Sequence, residues 1–135
     1  VIHKKPLFIV DGAHNAGAAD KMAESIRHYF NGKKLIYIMG VFADKEYKIV
    51  LEKTAHFAEK IYTIETPDNP RALPAEELAK AARVYNSSAE STKSIKDAVE
   101  KAFSCAGDDE NSVILAFGSL SFIGALTNAV EEYVG

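Results

Sequence analysis

Five consecutive residues near the amino terminus carry side chains that could do chemistry: Asp11-Gly12-Ala13-His14-Asn15. They follow an apolar run over residues 7–10 and precede a pattern typical of a helix. In an open α/β sheet, ligands bind at the carboxyl ends of the strands. The segment therefore predicts a nucleotide or phosphoryl site. Asp11 would accept hydrogen bonds from ribose hydroxyls, and His14 would donate to a phosphoryl oxygen beside a helix amino terminus.

The same segment also has a purely structural interpretation, as a turn between a strand and a helix. Asn15 would cap the helix, and Gly12 would relieve the bend. Neither Asp11 nor His14 is needed for such a turn, which favours a functional role for both. Residues 12–19 also have the glycine spacing of a P-loop, but two alanines stand where that loop needs Lys and Ser or Thr. The segment is therefore not an independent P-loop.

Other candidate side chains also follow predicted strands directly. Asp44 suits a helix N-cap, whereas Lys45 in the first turn of a helix opposes the helix dipole and predicts binding of a phosphate or carboxylate. Arg71 lies in a loop with three prolines and is either a ligand-binding or a merely solvated side chain. Ser119 follows the last strand and could also simply cap a helix. Because parallel strands end at one edge of a sheet, we expect these side chains to lie near the first segment.

Apolar runs that predict strands alternate with amphipathic patterns that predict helices. Strands are expected at 7–10, 35–39, 60–64 and 113–117, with a short edge strand around 84–89. Helices are expected at 15–30, 45–58, 74–85 (with Leu78, Ala81, Ala82 and Tyr85 inward), 91–106 and from 119 to about 134. This alternation predicts an α/β fold, a Rossmann-like three-layer domain. Its mostly parallel sheet would have about five or six strands, with helices on both faces. No element is expected before residue 7, which suggests a piece of a longer protein.

Composition narrows the possible partners. The chain has 135 residues and a net charge of −3, so it has no basic surface that would indicate nucleic acid binding. No apolar run is long enough to cross a membrane, and no signal peptide is evident. The single cysteine, Cys105, is expected to be a packed thiol and favours a reducing, cytoplasmic location. The histidines show no metal-ligand spacing, so no metal site is predicted in this chain.

Four motifs occur in a characteristic order: Asp11-Gly12-Ala13-His14-Asn15, Met39-Gly40-Val41-Phe42-Ala43-Asp44-Lys45, Pro70-Arg71-Ala72-Leu73 and Gly118-Ser119-Leu120. With them, essentially the whole chain resembles the C-terminal domain of folylpolyglutamate synthase/dihydrofolate synthase in the Mur ligase family. Two positions depart from the family pattern. Ala16 stands where proline usually follows the asparagine, and Ser121 stands where tyrosine is usual.

The resemblance implies an ATP-dependent ligase. ATP would phosphorylate a carboxylate on a folate or dihydropteroate, and the amino group of glutamate would attack the acyl phosphate. The P-loop, the Mg²⁺ ligands and most of the folate site would belong to a preceding N-terminal domain, so residues 1–135 would be inactive alone. The implied residues are Asp11, Gly12, His14 and Asn15 for the nucleotide, His14 and Lys45 for catalysis, and Asp44, Lys45, Arg71 and Ser119 for substrate.

Two alternatives remain open at this point. The chain could be a stand-alone nucleotide-binding α/β module, which would bind ATP by itself. It could also be the C-terminal domain of a Mur ligase that acts on a cell-wall precursor.

Overall fold

A six-stranded sheet in the order β1-β2-β6-β3-β4-β5 forms the centre of the protein. The computed structural model describes residues 2–43 and 46–135. The strands are β1 His3–Lys4, β2 Leu7–Val10, β3 Lys34–Met39, β4 Lys60–Thr63, β5 Ala89–Ser91 and β6 Ser112–Phe117. β1 pairs with β2 in the antiparallel sense, and the other neighbours are parallel. The predicted α/β class with a mostly parallel sheet is confirmed.

In the described part of the chain, five α-helices cover the two faces of the sheet. They are α1 Ala16–Tyr29, α2 Tyr47–Thr54, α3 Ala75–Arg83, α4 Ile95–Ala106 and α5 Ile123–Val134. Short 3₁₀ turns span Ala55–Phe57 and Leu120–Phe122. Helices α1, α2 and α3 pack on one face, and α4 and α5 pack on the other. The three-layer arrangement expected from the sequence is therefore present.

Strand β3 shows why its apolar run does not alternate with polar residues. Leu35, Tyr37 and Met39 face the core on the side of α1, α2 and α3. Ile36 and Ile38 face the core on the side of α4 and α5. A strand covered by helices on both faces needs apolar side chains at every position. The buried hydroxyl of Tyr37 donates a hydrogen bond to the carbonyl oxygen of Thr54 over 2.8 Å. Burial raises the pKa of this hydroxyl well above its usual range.

Two expectations about the sheet are wrong in detail. A leading strand does precede β2: His3 pairs with Phe8, and the His3 Nδ1 donates to the carbonyl of Pro6 over 3.0 Å. Two residues are too few to show any periodicity in sequence. The edge strand begins at Ala89 and not near 84, because the Asn86 side chain holds a turn there and donates to two backbone carbonyls at 2.7 and 2.8 Å.

Some helix boundaries also differ from expectation. Helix α4 begins at Ile95 and not at 91, because Ser94 caps it by accepting a hydrogen bond from the Asp97 amide at 3.0 Å. The last turn of the second predicted helix tightens into the 3₁₀ turn after Thr54. In α3 the buried face is Leu78, Ala79 and Ala82, whereas Tyr85, which was expected to face inward, lies past the helix and is exposed.

Candidate functional site

A cavity of about 310 Å³ opens at the carboxyl edge of the parallel strands. The loops that follow β2, β3, β4 and β6 form its walls. Its lining comprises His14, Phe42, Arg71, Gly118, Ser119, Leu120 and Ser121. Three of the predicted site residues, far apart in the sequence, are thus brought together: His14, Arg71 and Ser119. Asp11 and Asn15 belong to the same loop as His14 but do not line the cavity.

Two other surface cavities are larger but lie elsewhere. One of about 390 Å³ lies at the opposite edge of the sheet, between residues 4–7 and 107–110. The other, of about 510 Å³, lies beside α4 and β5. There Glu90 pairs with Lys60 at 3.1 Å and with Lys101 at 2.9 Å, so these charges satisfy one another. The cavity at the carboxyl edge is the better candidate site, because polar side chains from several loops converge there.

The loop after β2 is held by its own side chains. The Asp11 Oδ1 accepts a hydrogen bond from the Ala13 amide at 2.9 Å, and the Asn15 Oδ1 accepts one from the Ala18 amide at 2.9 Å. Asn15 therefore caps α1, as predicted, and Asp11 also stabilises the turn. The expected role of Gly12 differs, because its φ is not in the left-handed region. A Cβ at Gly12 would lie 3.3 Å from Leu120, so glycine allows close packing there.

The His14 ring is exposed and oriented by one hydrogen bond. Its Nδ1 lies 2.7 Å from the carbonyl oxygen of Gly12. Because a carbonyl oxygen only accepts, Nδ1 must carry the proton and donate. The Nε2 atom is then an acceptor in the neutral ring and a donor in the imidazolium. His14 can therefore donate to a phosphoryl oxygen through Nε2 only in its charged form, which refines the role expected for it.

Arg71 is fixed at the cavity by the loop that carries it. Its guanidinium carbon lies 4.9 Å from the centre of the half-buried Phe42 ring, within the range of a cation–π contact. Its carbonyl oxygen accepts a hydrogen bond from the Ala43 amide at 2.8 Å, and the Leu73 amide donates to Val41 at 3.0 Å. The proline-rich loop after β4 thus pairs with the segment after β3. Arg71 is a stacked side chain and not merely a solvated one.

Ser119 is buried at the base of the cavity. Its Oγ lies 2.8 Å from the Ser121 Oγ and accepts from the Ser121 amide at 3.3 Å, so it caps the turn Leu120–Phe122. Just before it, Gly118 has a φ of +114°, and a Cβ there would lie 2.3 Å from the carbonyl oxygen of Gly40. Only glycine fits such an approach. The loops after β6 and β3 are therefore in direct backbone contact.

Two of the predicted residues, Asp44 and Lys45, lie outside the described residues, and their roles stay predictions. Sequence analysis did not single out Phe42 and Leu120 as lining residues, although both directly follow strands at the same edge. It also missed Glu46, whose Oε1 accepts a hydrogen bond from the Ala16 amide at 3.1 Å. In residues 2–43 and 46–135, no three His, Cys, Asp or Glu side chains form a group that could hold a metal.

The cavity has the chemistry of an anion site with apolar sides. A guanidinium, an imidazole and two hydroxyls converge on it, and Phe42 and Leu120 add apolar surface. Charged donors of this kind bind phosphate or carboxylate groups.

No helix in the described part of the chain is both long enough and apolar enough to span a membrane.

Comparison with known proteins gives consistent matches. The Bacillus subtilis (strain 168) dihydrofolate synthase/folylpolyglutamate synthase is 28% identical over 131 residues, which cover 97% of this chain and 29% of that protein. The Thermotoga maritima folylpolyglutamate synthase structure gives a TM-score of 0.74 at 26% identity and covers 92% of this chain and 27% of that one. The Mycobacterium tuberculosis folylpolyglutamate synthase complexed with ADP and AMPPCP gives 0.80 at 24% identity, covering 99% and 31%. The chain thus spans less than a third of these relatives.

The family described as "Mur ligase, glutamate ligase domain" matches residues 1–120. The match includes the loops that carry His14, Arg71 and Ser119, so the cavity lies almost entirely within it. The resemblance drawn from the four sequence motifs is confirmed. Because the match extends over most of its length, the chain belongs to the Mur ligase family, as a glutamate ligase domain.

Proposed function

We propose that this chain is the C-terminal domain of a two-domain, ATP-dependent ligase that joins glutamate to the carboxylate of a folate or dihydropteroate. ATP phosphorylates that carboxylate, and the amino nitrogen of glutamate then attacks the acyl carbon and displaces phosphate. The P-loop belongs to an N-terminal domain of the same polypeptide. The single cysteine, Cys105, is unpaired, which is consistent with a cytoplasmic enzyme.

The observation that carries this proposal is the convergence of His14, Arg71 and Ser119 on one cavity, without a P-loop lysine. A domain that supplies anion contacts but no P-loop can complete an active site without forming one alone. The Mycobacterium tuberculosis relative was solved with ADP and AMPPCP.

The chain's own residues would divide the work between two ligands. Asp11 and Asn15 shape the turn for the nucleotide, and the His14 imidazolium donates from Nε2 to a phosphoryl oxygen. Arg71, stacked on Phe42, presents a guanidinium to a carboxylate of the substrate, with Ser119 beside it. Lys45 and Asp44 would assist at the acyl phosphate. By the family resemblance, Mg²⁺ would be bound by the N-terminal domain.

Replacing His14 by alanine in the full-length enzyme tests this function. An imidazolium aimed at a phosphoryl oxygen interacts more strongly as charge develops in the transition state, so turnover should fall more than ATP binding weakens. Loss of one such donor costs about 3 kcal/mol, or roughly a hundredfold in rate. The assay is phosphate release that depends on glutamate and on a folate or dihydropteroate.

His28→Ala is the matched control, because His28 is also exposed but lies in the last turn of α1, away from the cavity. It should leave turnover unchanged. Unchanged turnover in the His14 variant, with the fold intact by circular dichroism, would overturn the catalytic role of His14. Phosphate release that requires a cell-wall precursor in place of a folate would replace the substrate class proposed here.

A further inference from the structure

We propose that Glu46 is a positioning residue that holds the His14 turn in place from the neighbouring loop. This inference deepens the proposed function, because Glu46 would act on catalysis through His14. The Glu46 Oε1 accepts a hydrogen bond from the Ala16 amide at 3.1 Å, across 30 residues of sequence. Glu46 is the N-cap residue of α2, which follows β3, and Ala16 begins α1, which follows β2; in the sheet, β6 lies between these two strands.

The position of this contact gives the carboxylate a specific partner. Ala16 is the first residue of α1, and the first four amides of a helix have no partner within it. The Asn15 side chain accepts a hydrogen bond from the Ala18 amide, and the Glu46 side chain accepts one from the Ala16 amide. A negative charge is favourable at a helix amino terminus, and the first turn of α1 carries no acidic residue of its own. Glu46 therefore supplies from another element the charge that α1 lacks.

The contact also bears directly on the geometry of His14. Ala16 is two residues after His14, so fixing its amide fixes the end of the turn that carries the imidazole. Farther along the same pair of helices, Lys53 pairs with Asp20 at 2.7 Å, and this holds α2 beside α1. The Glu46 contact extends that attachment up to the cavity. Losing it would free the turn without separating the helices.

Position 16 offers a second way to hold the same turn. Proline has no N–H, so it cannot bond to Glu46, but its ring fixes φ near the helical value and suits the first position of a helix. Asn15, with φ −142° and ψ 172°, is already extended, as the residue before a proline should be. Where the family pattern has proline, ring stiffness would hold the turn. In this chain Ala16 and Glu46 hold it by a hydrogen bond.

The test uses four variants: E46A, E46Q, A16P and the E46A/A16P double variant. In the 135-residue chain, the ¹⁵N spectrum of the His14 imidazole reports whether the proton stays on Nδ1, from which it is donated to the Gly12 carbonyl oxygen. In the full-length ligase, the readout is turnover. E46A should mix the two ring tautomers and lower turnover about tenfold, since small displacements of catalytic groups have large effects on rate. E46Q keeps an acceptor oxygen for the Ala16 amide and loses only the charge, so its His14 spectrum and turnover should lie closer to those of the wild type than to those of E46A.

The double variant is the decisive arm. If Glu46 acts by holding the turn, A16P should restore both the His14 spectrum and turnover to within about twofold of the wild type, without restoring a carboxylate. Failure of A16P to rescue E46A would overturn the positioning role and assign Glu46 a direct one. An unchanged His14 spectrum in E46A would overturn it as well. Absence of ligase activity in the wild type would refute the proposed function, while the spectrum would still decide the role of Glu46.

Discussion

Replacing Gly118 by alanine should destabilise the protein strongly, because two independent features of the backbone require glycine there. The φ of +114° lies in a region that L-residues rarely adopt. A Cβ at this position would lie 2.3 Å from the Gly40 carbonyl oxygen and 3.0 Å from the Val41 Cγ1. The first neighbour is backbone, so it cannot move aside by a change of rotamer. The loops after β6 and β3 would have to separate.

The size of the effect follows from adding the two terms. A strained φ costs a non-glycine residue about 1–3 kcal/mol, and overpacking costs about 1–3 kcal/mol. Together they predict a loss of about 2–6 kcal/mol, against a total stability of roughly 5–15 kcal/mol for a domain. Urea unfolding followed by circular dichroism should show a lower midpoint, and the slope should not change if the denatured state is unaffected.

Gly124→Ala provides the control. Gly124 lies in α5, and nothing comes within 4 Å of a Cβ built there. Its replacement should leave stability unchanged or raise it by up to about 1 kcal/mol, because alanine favours a helix over glycine. A loss of less than about 1 kcal/mol in the Gly118 variant would refute the argument. It would mean that the two loops separate freely and do not define a fixed cavity.

Three further predictions concern polar groups. Asp11→Ala should lower the melting temperature, because the Ala13 amide loses its acceptor. It should also raise the KM for ATP if Asp11 holds the ribose. A lower melting temperature with unaltered ATP kinetics would make Asp11 purely structural. Tyr37→Phe should cost about 1–3 kcal/mol in urea unfolding, since a buried carbonyl loses its donor; a loss below about 0.5 kcal/mol would contradict this. Hydrogen bonds from two lysines hold the pKa of Glu90 below its usual 4.5, so its contribution to the free energy of unfolding is present above that pH and is lost on acidification. Glu90→Gln should make the free energy of unfolding fall less steeply as the pH is lowered. An equally steep fall in the variant would refute this prediction.

The layers of the fold could be predicted because they depend on local pattern. Runs such as residues 35–39 are apolar throughout, which a strand needs only when both of its faces are covered. The amphipathic patterns at 15–30 and 91–106 likewise predicted the helices α1 and α4, whose boundaries in the structure differ only by a few residues. The strand order could not be predicted, because nothing in the sequence near residues 112–117 indicates that β6 lies between β2 and β3.

The candidate site was predictable in position but not in contacts. Because parallel strands end at one edge of a sheet, His14 and Ser119 just after strands and Arg71 in the loop after β4 were predicted to converge. The ring of Phe42 beneath Arg71 depends on the pairing of two loops, which no local signal reveals. The bond between Glu46 and Ala16 depends on the packing of α2 beside α1. Such contacts arise only from the tertiary fold.

The polar residues at this edge fall into two groups that need different experiments. Asp11, Asn15 and Ser119 each use a side-chain oxygen to hold their own turn. Replacing one of them changes the loop as well as any ligand contact, so a kinetic effect alone cannot identify a ligand contact. His14 keeps Nε2 available outside its turn, because only Nδ1 bonds to Gly12. A loss of turnover in His14→Ala at unchanged stability therefore reports on the ligand contact proposed for Nε2 and not on the turn.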